Sequence, residues 1–347
     1  MNKTLSFRWV EAASAKSGAR LLLVQDGKAF GADVLPKADQ AALASWLSAS
    51  SFEGAAASVA WPAGLTTPVL LAGIGSRPDM HPLRWRRAWA AAARSLSTSG
   101  LKKLHFAWPA KTGLPPEPSS WMKLAAESLH YGMYSFDAYK KAVGKIGAFV
   151  MEWEGPVLAE KPVRDAIRQG ETLGRLLNEM RDAANEPANR FGPVELAARA
   201  EKWARETGLS CRVWDEAALK KAKCGALLAV AQGSKRPARL IRFAYTPQGR
   251  NAPKPVVLVG KAVTFDSGGI SLKPGKGMEW MKYDKCGGIT ALAVVRQAAR
   301  LKLPRPVVAY VPAVENMPDG GAVRPGDIVT ARNGKTVEIL NTDAEGR

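Results

Sequence analysis

Short apolar runs alternate with segments of helical apolar spacing along nearly the whole chain, and this alternation most narrows the folds open to it. Residues 21–24, 57–60, 68–73, 104–107 and 147–151 read as strands, with helical spacing at 85–96 and 121–130 between them. A buried strand needs only a brief apolar run, whereas a helix covering a sheet needs apolar residues every three to four positions. Strands separated by such helices predict an α/β architecture. The proline- and glycine-containing stretch 155–162 reads as a linker, dividing the chain into domains 1–155 and 156–347. The second part continues with a long helical pattern to about Ala184, a break at Asn185-Glu-Pro-Ala-Asn189 and a helix opened by Pro193. Residues 211–214, 226–230, 240–244, 256–259 and 307–311 read as strands and 289–301 as a helix. Residues 328–340 read as a hairpin around Asn333-Gly334. The expectation is an N-terminal α/β domain followed by a C-terminal α/β domain with a mixed central sheet.

At 347 residues both domains are long enough to bury a core of their own. No apolar run approaches the roughly 20 residues that span a bilayer, and the N-terminus lacks the pattern of a secretory signal. Three cysteines without a CxxC pair argue against a disulfide scaffold or zinc knuckle and point to a reducing, cytoplasmic setting. The net charge of +19 is spread over both halves: residues 1–160 carry 18 basic and 12 acidic groups, the remainder 32 and 19. Such a balance permits nucleic-acid binding, but no groove-reading motif accompanies it, and a merely basic surface is the simpler account.

Chemistry concentrates in the second domain. Asn341-Thr-Asp-Ala-Glu-Gly-Arg347 sets Asp343 and Glu345 two positions apart, on one side of an extended segment. Two carboxylates held together repel unless a proton or cation lies between them. Lys261 and Asp266 follow the strand ending near Val259, Lys273 lies a few residues on, and Asp284 precedes a helix. Ligands of open α/β sheets bind beyond the carboxyl ends of the strands. The three histidines (His81, His105, His130) all lie in the first domain, which excludes histidine-based zinc motifs from the second. Oxygen donors with one amine suit Zn²⁺, Mn²⁺ or Mg²⁺. Two such ions would share a water that loses a proton near neutral pH and becomes a nucleophile.

The segment from about Arg181 to Arg347 resembles the leucyl (cytosol) aminopeptidases, peptidase family M17. The resemblance rests on Asn341 to Arg347, on Val259-Gly-Lys with Phe265-Asp-Ser-Gly-Gly-Ile-Ser-Leu-Lys273, on Met281-Lys-Tyr-Asp284, on Glu315-Asn-Met-Pro318 and on the Asn185 turn. It implies a two-metal aminopeptidase, with Mn²⁺ or Zn²⁺, that releases leucine-like N-terminal residues from peptides. Asp266 and Glu345 would bridge the metals, Lys261 and Asp284 would complete one shell and Asp343 the other. Lys273 would stabilise the developing oxyanion, Arg347 would hold a bicarbonate that relays a proton, and Met281 would line the side-chain pocket. The resemblance also implies a homohexamer for the full-length protein. Family members continue well beyond Arg347, so the expectation is a catalytic domain incomplete at its C-terminal end and a 347-residue species with little or no activity alone. Lys285 follows Asp284 where many relatives carry an apolar residue; a helix start leaves it room to point to solvent, although a cation there is mildly unfavourable to the helix dipole. Cys286 is expected to be a small buried residue. The alternatives are a DNA-binding architectural or regulatory protein on the same scaffold, and a non-catalytic fragment.

Overall fold

The computed structural model describes residues 5–11, 18–76, 81–109, 114, 117–140, 148–248 and 253–346. The chain divides into two compact units, Met1–Asn178 and Glu179–Arg347.

The first unit runs β1 (Leu5–Val10), β2 (Ala19–Gln25), β3 (Lys28–Phe30), α1 (Lys37–Ala49), β4 (Val59–Ala60), β5 (Val69–Gly73), α2 (Pro82–Thr98), β6 (Lys103–Ala107), α3 (Pro118–Met133), β7 (Phe149–Glu154), α4 (Pro156–Ala159) and α5 (Lys161–Asn185), the last crossing into the second unit. Its sheet has the order β1-β7-β6-β2-β5-β4, with β3 paired to β2. Leu21, Leu104, Phe106, Met151 and Trp153 of the strands share one buried core with Trp85, Trp89, Met122 and Leu129 of α2 and α3. A smaller core joins Leu43 of α1 to Leu22, Val24 and Leu71. Helix starts follow local chemistry: Pro82 opens α2 behind His81, whose Nδ1 accepts from the Leu83 N–H at 3.2 Å. The 155–162 stretch, expected as a linker, is occupied by α4 and the first residues of α5.

His130 is buried on α3, and its Nε2 has no hydrogen-bond partner among the described residues. Burial, aided by the charge of Arg175, pulls its pKa down to about 4. Unfolded chains take up that proton near pH 6.5, so between there and pH 4 the unfolded state binds more protons than the folded one. Stability of the first unit is therefore expected to fall by up to about 3 kcal/mol as pH drops through this window. Urea melts at pH 7, 5 and 4 check this: His130→Leu should flatten the profile, and an unchanged slope would assign it to other groups.

The second unit continues with α6 (Pro193–Thr207), β8 (Ser210–Trp214), α7 (Glu216–Lys221), α8 (Gly225–Ala231), β9 (Arg239–Tyr245), β10 (Val256–Val259), β11 (Ala262–Asp266), a 3₁₀ turn (Met278–Tyr283), α9 (Cys286–Arg300), β12 (Val307–Asn316), β13 (Ile328–Thr330) and β14 (Thr336–Glu338). The sheet is mixed. Both β10 and β11 run parallel to β12, while β9 is antiparallel to β12 and to β8. The ten residues of β12 pair first with β10 and then with β11 along the same edge, so residues 260–261 form a jog between two consecutive strands. Among the described residues, no helix is long and apolar enough to cross a membrane.

One expected strand is a helix. Residues 226–230 lie in α8, which packs on β12 with Ala229 and Ala231 buried. A short apolar run does not distinguish a strand from a buried helix, and alanine and leucine are the strongest helix formers. The hairpin around Asn333-Gly334 forms, but as a separate two-stranded sheet. Asp343 and Glu345 therefore lie in turns beyond that hairpin, not in an extended segment after a strand of the main sheet.

Candidate metal centre

Six of the side chains singled out in the sequence converge in the second unit from four places in the chain. Lys261 occupies the jog between β10 and β11. Its Nζ lies 2.6 Å from Glu345 Oε1 and 2.9 Å from Asp284 Oδ2. Lys273 Nζ lies 3.0 Å from Asp266 Oδ2 and contacts Asp343 Oδ1. One carboxylate oxygen each from Asp266, Asp343 and Glu345 lie within 4.8 Å of one another. Asp266 and Glu345 are the most enclosed, with side chains 4% and 5% exposed.

Backbone geometry makes this approach possible. The Gly288 N–H donates to the Lys261 carbonyl at 2.6 Å, and a Cβ on Gly288 would stand 2.6 Å from Val311 Cγ1 and 2.7 Å from Ala262 Cβ. Only glycine lets the start of α9 close on the jog, which brings Asp284, just before α9, to Lys261. The loop from Asp266 to Lys273 turns at Gly268 with φ +87°, a left-handed conformation that glycine adopts without strain. It folds back so that the Lys273 N–H donates to the Ser267 carbonyl at 2.9 Å. Thr342 fastens the same loop: its Oγ donates to Gly268 O at 2.6 Å and accepts the Ser271 N–H at 2.8 Å.

Four carboxylates face two ammonium groups, leaving the cluster an excess of negative charge. Burial raises the Asp284 pKa against the pull of Lys261. Burial pulls the Lys261 pKa down, but Glu345 and Asp284 outweigh it, leaving it above the ordinary lysine value. Asp284 Oδ2 is close enough to Lys261 to form an ion pair yet has no aligned hydrogen-bond donor. Clustered carboxylate oxygens beside one amine fit hard divalent cations. Binding one through Lys261 requires the neutral amine and hence release of its proton.

Met281 lies on the 3₁₀ turn, and its carbonyl accepts the Asp284 N–H at 3.2 Å. Arg347, expected to hold an anion, lies outside the described residues. Cys286 is half-buried at the start of α9, and burial raises its thiol pKa. Lys285 does not point to solvent. It is completely buried, and its Nζ donates to Glu186 O at 3.0 Å and to Lys282 O. Tyr283 Oη donates to Asn185 Oδ1 at 2.7 Å, so the Asn185 turn is tied twice to the segment carrying Asp284. Asn316 and Thr342, within the motifs at 315–318 and 341–347 but without a role legible from sequence, are each buried beside the carboxylates. A polar residue at the end of an apolar strand is the signal that marks Asn316.

Residues 178–347 match the catalytic domain of the cytosol aminopeptidase family and residues 21–142 its N-terminal domain. A probable cytosol aminopeptidase of Solibacter usitatus (strain Ellin6076) is 42% identical over 288 residues, covering 82% of this chain and 58% of that protein. One from Desulfovibrio desulfuricans is 39% identical over 327 residues, 91% of this chain and 65% of that protein. The chain thus spans about three-fifths of the length of these relatives. Among solved structures, the bottromycin maturation enzyme BotP superposes with a TM-score of 0.79 at 30% identity, over 95% of this chain and 66% of BotP. Its complex with Mn gives a TM-score of 0.78 at the same identity, over 96% and 67%.

Proposed function

The chain belongs to the cytosol aminopeptidase family, and from that premise we propose that residues 156–347 carry a two-metal centre for removing N-terminal residues, leucine-like ones included, from peptides. The observation that carries this reading is the meeting of Lys261, Asp266, Lys273, Asp284, Asp343 and Glu345 at ion-pair distances from separate segments. Asp266 and Glu345, the two most enclosed carboxylates, would be shared by the two ions. Lys261 and Asp284 would complete one shell and Asp343 the other. Divalent ions held there supply Lewis-acid polarisation of a carbonyl and of water at neutral pH. The Lys273 ammonium, paired with Asp266 and Asp343 in the same cluster, would donate to the oxygen that gains charge at the scissile carbonyl. The manganese of the BotP complex supports Mn²⁺ as one of the ions used, with Zn²⁺ the other candidate. Met281 as a wall of the side-chain pocket, bicarbonate at Arg347, a homohexameric whole protein and a cytoplasmic location belong to the same proposal. DNA binding has only the basic charge in its favour and is not the favoured reading.

Hydrolysis of leucine-p-nitroanilide with added Mn²⁺ or Zn²⁺, beside a metal titration, tests the proposal. Metal-dependent release that vanishes in the Asp266→Ala, Glu345→Ala double variant is the expected result. Failure of the folded chain to bind either ion would sink the reading, and tight, steeply salt-dependent DNA binding would replace it.

A further inference from the structure

We infer that Asn316 is a positioning residue of the metal centre, its buried carboxamide occupying one oxygen of Asp266 so that the other is left to face a cation. This rests on the two-metal reading above. Asn316 is the last residue of β12 and is 2% exposed. Its Nδ2 lies 2.9 Å from Asp266 Oδ1, 3.0 Å from the Thr342 carbonyl and 3.5 Å from Glu345 Oε2. The carbonyl and an ionised Asp266 can only accept, so the amide must turn its NH₂ towards them and not its own carbonyl. Asp266 Oδ1 also accepts the Gly268 N–H at 2.9 Å. Two neutral donors therefore hold Oδ1, while Oδ2 faces Lys273 at 3.0 Å on the cationic side of the cluster.

The sheet register sets up this contact. Between the pairs Val263↔Val314 and Asp266↔Asn316, β11 spends three steps against two on β12. Such a bulge re-aims a side chain; in regular register Phe265 would stand opposite Asn316, and Asp266 would point to the other face. The Asn316 carbonyl then accepts both the N–H and the Oγ–H of Ser267, at 3.0 and 2.8 Å. One residue thereby fixes the Asp266 side chain, the backbone after it and, through Thr342, the segment bearing Asp343 and Glu345. A neutral donor can do this without competing with a metal for the carboxylate, as a lysine would.

Isothermal titration with Mn²⁺ alone, on the 347-residue chain and two variants, is the test. Asn316→Ala should weaken Mn²⁺ binding by about 10- to 100-fold. Asn316→Gln, which keeps the NH₂ but displaces it by a methylene, should recover part of that loss and guards against misfolding of the alanine variant. A residue needed only for packing would lower the thermal midpoint of the metal-free protein and leave Mn²⁺ affinity within about twofold. That result in the folded alanine variant, or a folded glutamine variant that binds Mn²⁺ no better than the alanine variant, overturns the inference. If the parent chain binds no Mn²⁺, the two-metal reading fails first and takes this inference with it.

Discussion

Asp266→Asn and Glu345→Gln are each expected to weaken divalent-metal binding by about 100-fold, equivalent to ~2.7 kcal/mol, and to reduce peptide hydrolysis to background. These are the two most enclosed carboxylates of the cluster. An amide in place of Asp266 keeps one acceptor oxygen where the site presents donors on both sides: Asn316 and the Gly268 N–H at Oδ1, Lys273 at Oδ2. Whichever way it turns, two donors meet. At Glu345 the change also removes the charge 2.6 Å from Lys261, and losing one partner of an enclosed ion pair is more damaging than the pair is worth. Calorimetric titration with Mn²⁺ and Zn²⁺, with circular dichroism to establish folding, measures the effect. A folded variant that binds either ion as the parent does would remove that carboxylate from the metal centre.

Lys273→Met separates binding from catalysis. The ammonium pairs with Asp266 and Asp343, oxygens that a cation would also use. Its removal is therefore expected to leave metal affinity unchanged or somewhat higher, while kcat falls by about 10²- to 10³-fold, the usual loss when one donor to a developing oxyanion is deleted. Lys261→Met should do the reverse at the first step, losing metal affinity because it deletes a ligand. The comparison is read from kcat at saturating metal beside the titration. A Lys273→Met variant in which affinity and kcat drop together would assign Lys273 to holding the site together and not to the reaction.

Much of the site was legible because its chemistry is local. Two carboxylates two residues apart, and a lysine and an aspartate after an apolar run, mark a candidate cation site wherever the fold brings them together. What stayed hidden depends on partners far along the chain. At the start of a helix Lys285 could have pointed to solvent; its buried position depends on the carbonyl of Glu186, 99 residues earlier. The 226–230 run carries no periodicity to choose between strand and helix, and packing on β12 decided for the helix. Asn316 and Thr342 sat within recognised motifs, yet which groups they hold is set by a bulge and by loop closure over dozens of residues.

The sequence by itself determined the α/β class and singled out the side chains that gather in one cluster, since residue chemistry and apolar spacing are written along the chain. Only the tertiary structure decided that Lys261 stands in a jog between two strands, that the Asp266 carboxylate turns Oδ2 to the cluster, and that Asn316 holds its other oxygen. Those outcomes follow from the register of β11 on β12 and from the close approach of α9 at Gly288, which are properties of paired segments and not of any one of them.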